Sequence, residues 1–276
     1  MTIPPKTLYV TDLDGTLLRS DKTLSGYTEK TVNSLVEEGM AITYASARSV
    51  LTAREVAGGL KLRLPVITRN GTVFADHGTG RMLEKALFAP EEISKLKEIL
   101  PDIGCRGNTT RYVEDKMQTL YIPGEHVPGM EEYLKDRKDD PRLFAVKTTE
   151  EMFEGEIGYI SMLDDRDVLY PVYERLRSET SLECVFQKDT YVKEYWLEIC
   201  PENSTKAKAI LKLKKKLGFD KLVVFGDSVN DLPMFEIADE AYAVSNAIKE
   251  VRDKATGILG SNDEDSVARF LLKERM

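Results

Sequence analysis

The chain of 276 residues is poor in several residues on which common chemistries depend. It has three cysteines, Cys105, Cys184 and Cys200, an odd number without metal-like spacing. That excludes a disulfide framework or a cysteine zinc site as the organising feature, and free or buried thiols in a reducing cytosol are expected. It has two histidines, His77 and His126, each alone and each in a turn-forming stretch. They support neither a serine–histidine triad nor a zinc site, and both are expected at the surface. Ser161 and Ser228 lack the setting of a nucleophile elbow. No apolar run approaches the roughly 20 residues of a membrane span. Residues 1–6 contain no apolar leader segment, so a cytoplasmic protein without a membrane partner is expected. Basic charge is in deficit as well, with 39 Lys and Arg against 47 Asp and Glu and a net charge of −8. Tracking nucleic-acid phosphates needs a clustered excess of Lys and Arg, so a nucleic-acid partner is not expected. Internal repeats and low-complexity linkers are also missing.

What remains is an ordinary globular composition, 42% hydrophobic and 31% charged, in a chain long enough for one large or two modest domains. Short apolar runs alternate with amphipathic helices. Residues 8–11 read as a strand, and Ser25 then caps a helix that buries Val32, Leu35 and Val36 and stops at Gly39. A strand at 40–45, a helix carrying Val50, Ala53, Val56, Ala57 and Leu60, and a strand at 64–68 follow. This order predicts a parallel sheet with crossover helices. Residues 72–84 read as a hairpin, and Pro90 opens a helix through Leu100.

From about residue 85 to 193 the pattern changes. Short strands at 111–113, 118–122, 143–146, 159–163 and 184–186 mix with helices at 130–137 and 165–177. The parallel pattern is expected to resume at 196–200, then a helix from Thr205 to Leu217 ended by Gly218, a strand at 222–225 and further α/β units. The predicted fold is a three-layer α/β core, residues 1–84 and 195–276, interrupted by an α+β insertion at 85–194.

In open α/β sheets, ligands bind beyond the carboxyl ends of the strands. Four predicted strand ends deliver polar groups there: Asp12 and Asp14, Ser46 and Arg48, Asn70, and Asp227 with Asn230 and Asp231. Asp12 and Asp14 are separated by Leu13 alone, so strand alternation puts them on one side, about 7 Å apart. Two uncompensated carboxylates that close suit a divalent cation or an anion held by one. Taken alone, the pair equally fits a strand ending in solvated acids. The Ser46 hydroxyl and the next N–H can bond a phosphate oxygen, or Ser46 can cap a helix. Arg48 either reaches substrate or pairs at the surface. Lys206 sits in the first turn of a helix, where a cation is disfavoured unless an anion lies between it and the helix end. Asp227 is placed as a third acid, and Asp231, one helical turn on, can face the same point.

The string Asp-Leu-Asp-Gly-Thr-Leu at 12–17, after an apolar strand, resembles the first motif of the haloacid dehalogenase-like phosphatase superfamily. Ser46-Ala47-Arg48 is similar to the second motif, often Thr-Gly-Arg in larger-capped members. Lys206 matches the third, and Gly226-Asp227-Ser228-x-Asn230-Asp231 the fourth, in the form seen in the Cof-like branch. Asn70-Gly71, residues 244–247 and residues 263–268 are further echoes of that branch. The resemblance covers the core segments and implies that the insertion is a C2-type cap. It implies a Mg²⁺-dependent phosphatase acting on a small phosphorylated metabolite, a sugar phosphate or similar phosphomonoester, through an aspartyl-phosphate. Asp12 would be the nucleophile and Asp14 the acid/base. Leu13, Ser46, Ala47, Arg48, Asn70, Lys206 and Asn230 would surround the phosphate, with Asp12, Asp14, Asp227, Ser228 and Asp231 around the metal. A phosphomutase and a non-catalytic metabolite sensor remain open on the same scaffold, as does monomer or homodimer. In the insertion, Arg106, Arg111, Lys116, Tyr121, Gln187 and Lys188 are candidates that spacing does not separate from a solvated face.

Overall fold

The first strand, β1 (Thr7–Thr11), buries four of its five residues, as a strand with neighbours on both sides must. The computed structural model describes residues 6–114, 116–124, 126–188 and 193–275. After β1 come a single π-type turn (Leu13–Leu17) and α1 (Gly26–Glu37), which is capped by Ser25 accepting from the Thr28 N–H at 3.0 Å. β2 (Ala41–Tyr44), α2 (Val50–Ala57), β3 (Val66–Thr68), β4 (Val73–Ala75) and β5 (Met82–Lys85) follow. Val32, Leu35 and Val36 of α1 are buried as their spacing predicts.

The inserted stretch contains α3 (Pro90–Ile99), α4 (Ile103–Arg106), β6 (Gly107–Val113), β7 (Lys116–Tyr121), α5 (Pro128–Lys135) and β8 (Leu143–Ala145). It continues with α6 (Thr149–Met152), β9 (Glu156–Asp164), α7 (Arg166–Glu179), β10 (Glu183–Lys188) and β11 (Tyr195–Cys200). The chain then forms α8 (Lys206–Leu217), β12 (Lys221–Gly226), α9 (Leu232–Ile237), β13 (Glu240–Ala243), α10 (Lys249–Lys254), β14 (Gly257–Ile258) and α11 (Ser266–Glu274). No helix among the described residues is long and apolar enough to cross a membrane.

Contacts divide the chain into two units, Met1–Glu84 with Thr205–Met276, and Lys85–Ser204. The first is built on a fully parallel sheet of order β14-β13-β12-β1-β2. β3 departs from the expected extension of that sheet. It heads a three-stranded sheet β3-β4-β5, pairs antiparallel with β4, and joins the parallel sheet by one bridge, Ala45 to Ile67.

The second unit carries a six-stranded sheet of order β10-β11-β9-β6-β7-β8, antiparallel except between β7 and β8. Leu96 and Ile99 of α3 and Leu169 and Leu176 of α7 pack on one face, against Ile160, Met162, Leu197 and Ile199. Here the expected boundary at 194/195 is corrected. β11 does not return to the parallel sheet: it lies between β10 and β9, antiparallel to both, and the first unit resumes at Thr205. Its run Tyr-Trp-Leu-Glu-Ile-Cys buries four residues in either setting, so hydrophobicity alone did not choose between partners.

Candidate active site

The sheet register brings the polar ends together. Thr11 lies opposite Phe225 of β12 and Tyr44 of β2, so the residues just beyond, Asp12, Asp227 and Ser46, leave the sheet on one edge. Backbone bonds close the gaps: Asp12 N to Phe225 O at 2.9 Å, Ala45 N to Thr11 O at 2.9 Å and Ser46 N to Ile67 O at 3.0 Å. Strand geometry ends at Thr11, which corrects the picture of Asp12 and Asp14 alternating on one strand. Asp14 belongs to the π-type turn, closed by Leu18 N to Leu13 O at 2.8 Å.

Gly15 makes this turn possible. Its φ is +74°, and a Cβ there would lie 2.5 Å from Asp227 Oδ2. Glycine meets both demands, a left-handed backbone and direct contact with the neighbouring acid. Thr16 donates its hydroxyl to Asp227 Oδ1 at 2.7 Å. Asn246 donates its amide to Gly15 O at 2.8 Å and accepts from Asn262 N at 3.0 Å, while Ile248 N donates to Asp227 O at 2.9 Å. The C-terminal segment thus clamps both acid-bearing turns. Thr16 and Asn246 lie inside the motif strings, but Asp227 and Gly15, to which they donate, are over 200 residues away and only the fold supplies them.

At the centre is a buried ion triad. Lys206 Nζ lies 2.6 Å from Asp12 Oδ1 and 2.7 Å from Asp231 Oδ1, with side-chain exposures of 1%, 8% and 0%. Burial alone would pull the lysine's pKa down, but the charges of Asp12 and Asp231 outweigh it and hold the ammonium above its usual range. The other Asp231 oxygen accepts from the backbone N–H of Asp227 (2.9 Å) and of Ser228 (3.0 Å). Gly71, at φ +106°, lets residues 69–71 press onto the start of α8, where a Cβ would stand 2.3 Å from Thr205 O. Lys206 is thereby fixed in depth.

Ligand oxygens of Asp12, Asp227 and Asp231 lie within 4.8 Å of one another. Burial, and then the Asp231 charge, push the Asp227 carboxyl up to about 7. Both Asp231 oxygens are engaged, which leaves Asp12 and Asp227 as the acids best able to turn an oxygen to an ion. An all-oxygen, carboxylate-rich set of this kind fits a hard divalent cation.

The remaining candidates fall into place unevenly. Arg48 grips Asp14 with two bonds of 2.7 Å, Nε to Oδ2 and Nη2 to Oδ1, so the Asp14 side chain is turned to the guanidinium and lies outside the acid cluster. Ser46 is buried, and its hydroxyl accepts from Arg48 N at 3.1 Å. Asn230 donates to Asn70 Oδ1 at 3.3 Å, joining two predicted phosphate-side residues across the site. The Leu13 side chain is buried in the core, and Ala47 is half-buried. Ser228 contributes its backbone N–H to Asp231.

His77 is a further correction. It is buried, with Nε2 donating to Ala57 O at 3.0 Å and Nδ1 accepting from the Tyr44 hydroxyl at 3.0 Å. A carbonyl only accepts, which fixes the Nε2–H tautomer in the neutral ring. Its ring turns inward onto Tyr44 and Ala57, while Gly78 and Thr79 of the same turn stay exposed. His126 is half-buried, and the three cysteines are free thiols. In the second unit, Arg106 pairs with Asp164 and Arg111 with Gln118 (2.8 and 3.0 Å).

The family profile of the haloacid dehalogenase-like hydrolases matches residues 9–271. The chain is 27% identical to the 5-amino-6-(5-phospho-D-ribitylamino)uracil phosphatase YwtE of Bacillus subtilis, over 94% of this chain and 95% of that one. It is 26% identical to the pyridoxal phosphate phosphatase YbhA of Escherichia coli, over 94% and 95%. In three dimensions it resembles a haloacid dehalogenase-like hydrolase from Bacillus subtilis, with a TM-score of 0.77 at 20% identity, covering 96% of this chain and 98% of the other. With parallel core, inserted antiparallel unit and acid-rich strand ends all in one chain, the protein belongs to the haloacid dehalogenase-like hydrolases, as an enzyme of their phosphatase group.

Proposed function

We propose that the protein is a Mg²⁺-dependent phosphatase that hydrolyses a small phosphorylated metabolite, a sugar phosphate or similar phosphomonoester, through an aspartyl-phosphate on Asp12. The observation that carries this reading is the buried Asp12–Lys206–Asp231 triad at the carboxyl ends of the parallel strands. A carboxylate held at full burial by a lysine, beside a second acid that a cation would neutralise, is arranged to meet a phosphate.

An Asp12 oxygen attacks phosphorus in line as the bond from phosphorus to the leaving alcohol breaks. Asp14 gives that alcohol its proton. Both Asp14 oxygens are taken up by Arg48, so carrying a proton requires one of these two bonds to open. In the second half, Asp14 takes a proton from a water whose oxygen attacks the same phosphorus. The bond between phosphorus and Asp12 breaks, which restores the carboxylate and frees inorganic phosphate. Ser46, Lys206 and Asn230 hold phosphate oxygens, with Asn70 supporting Asn230 and the Leu13 and Ala47 backbone alongside. Asp231 keeps Lys206 aimed. Asp12, Asp227 and the Asp14 carbonyl would hold Mg²⁺, which would supply the positive charge that lets a carboxylate approach a phosphate dianion.

The two relatives named as phosphatases of phosphorylated small molecules support this reading. The test is phosphate release from an aryl phosphate and from a panel of phosphorylated metabolites, with Mg²⁺ and after chelation. Asp12→Asn should fold normally and lose turnover. Turnover that survives both the substitution and chelation would sink the proposal.

A further inference from the structure

Two strings of the sequence, residues 244–247 and 263–268, take no part in the chemistry proposed above. Both belong to the first unit, and polar side chains in and beside them converge on the turn that carries Asp14. Asn246 donates its amide to Gly15 O at 2.8 Å. Asn262, one residue before the second string, donates its amide to Leu18 O at 3.0 Å. The two asparagines are joined, because Asn262 N donates to Asn246 Oδ1 at 3.0 Å. The exit of the turn is tied down residue by residue. Arg19 pairs with Asp265 at 3.1 Å, and Ser20 gives its N–H and its hydroxyl to Asp263 at 2.9 and 2.8 Å.

The turn needs such support. Its backbone leaves helical geometry at Asp14 (φ −70°, ψ 123°) and Gly15 (φ +74°, ψ −3°), so its carbonyls do not feed a regular ladder of bonds. The Asp14 side chain is 45% exposed, too open for packing to fix it, and its place follows from the turn backbone and the Arg48 fork. One bond of that fork has to open for Asp14 to carry a proton, and at that moment the backbone holds the carboxyl in position. A general acid must stand within hydrogen-bond reach of the leaving oxygen, and a displacement of about 1 Å can cost on the order of 100-fold in rate. Asparagine suits the task at 246, because an amide donates and accepts at once and this one does both.

We propose that Asn246 and Asn262 are positioning residues for the proton transfer at Asp14. As a joined pair they hold the middle and the exit of its turn, Gly15 O and Leu18 O, so that the carboxyl keeps its place when the Arg48 fork opens. This role rests on the phosphatase reading above. Neither asparagine is among the residues that would hold phosphate or metal, so their effect falls on the step that protonates the leaving alcohol.

The test compares the full-length wild type with Asn246→Ala and Asn262→Ala. Asn246 is exposed and its loss should be tolerated by the fold, which keeps the test valid if the buried Asn262 is not replaceable. The constants kcat and KM are measured on an alkyl and on an activated aryl phosphate, together with melting temperature and amide exchange at Leu18, whose N–H closes the turn on Leu13 O. Asn246→Ala should lower kcat on the alkyl ester about tenfold, leaving kcat on the aryl ester within about threefold and both KM values within about twofold. Leu18 exchange should quicken about fivefold and the melting temperature fall by no more than about 4 °C, as the loss of one hydrogen bond predicts. Asn262→Ala, where it folds, should show the same selective loss. Equal losses on the two esters, or a lower melting temperature with unchanged kinetics, reveal a merely structural bond and overturn the proposal. Unchanged Leu18 protection in Asn246→Ala overturns it as well. A wild type that hydrolyses neither ester refutes the phosphatase reading instead, and the hold on the turn then stands or falls on Leu18 exchange. Hydrolysis by the wild type with kinetics unchanged in the variants overturns this proposal and leaves that reading standing.

Discussion

Replacing Lys206 with methionine tests the centre of the site most directly. Methionine keeps the length of the buried stem and removes the ammonium that lies 2.6 Å from Asp12 and 2.7 Å from Asp231. Removing one partner of a buried ion pair costs about 3–5 kcal/mol, because the partner charge stays behind without compensation. Here two carboxylates stay behind. Asp231 retains the Asp227 and Ser228 N–H groups on its other oxygen, so the lower half of that range is expected. For a domain of this size, 1 kcal/mol shifts the melting temperature by roughly 2–4 °C, which predicts a fall of about 6–16 °C. Thermal and urea unfolding at pH 7 would measure it, with Asp231→Asn and the double variant completing a cycle. Removing the second carboxylate should return part of the loss, with a coupling of about 1–3 kcal/mol. If Lys206→Met stays within about 1 kcal/mol of the wild type and the coupling is near zero, the triad is not the electrostatic centre of the site.

Three further outcomes are expected. Gly15→Ala forces a Cβ to within 2.5 Å of Asp227 Oδ2 at φ +74°; besides about 1–2 kcal/mol of backbone strain, Mg²⁺ affinity by calorimetry should fall about tenfold or more, and an unchanged affinity would contradict the packing described. Asp14→Asn should slow an alkyl phosphate far more than an activated aryl phosphate, since a general acid contributes about 10²–10⁴-fold where the leaving group needs its proton; equal losses on both substrates would remove Asp14 from the acid role. His77 has its pKa lowered by burial, then by Arg54, against the Ala57 bond and Asp76, which raise it. The unfolded chain therefore takes up a proton near pH 6.5 before the folded one does, and stability should fall as pH drops below that value, by at most about 1.4 kcal/mol per pH unit from this group. His77→Gln keeps an acceptor for Tyr44 and a donor for Ala57 but cannot titrate, so its stability curve should run parallel to the wild type above pH 6.5 and flatter below it. Identical slopes between pH 5 and 6.5 would refute the assignment.

Asp12, Asp227 and Lys206 were legible in the sequence because each is tied to a local signal: an apolar strand that ends in an acid, or a lysine where a helix N-terminus disfavours one. The parallel sheet was legible for a similar reason, since alternating strands and amphipathic helices admit few topologies. What the sequence left open depended on partners far away along the chain. The run at 195–200 suits a parallel or an antiparallel strand, and only pairing with β9 and β10 assigned it to the second unit. Glu198 within that run was the available hint, since buried parallel strands are nearly continuously apolar. His77 read as a surface turn because burial is decided by what the turn folds onto, Tyr44 and Ala57, and not by its neighbours in sequence. Arg48 had two readings, substrate or surface pairing, and the fold gives it a partner that neither named, the fork on Asp14. Local residue types determined the elements and the chemistry at their ends; tertiary structure decided which charges meet, because Coulombic and hydrogen-bond energies depend on distances that sequence separation does not encode.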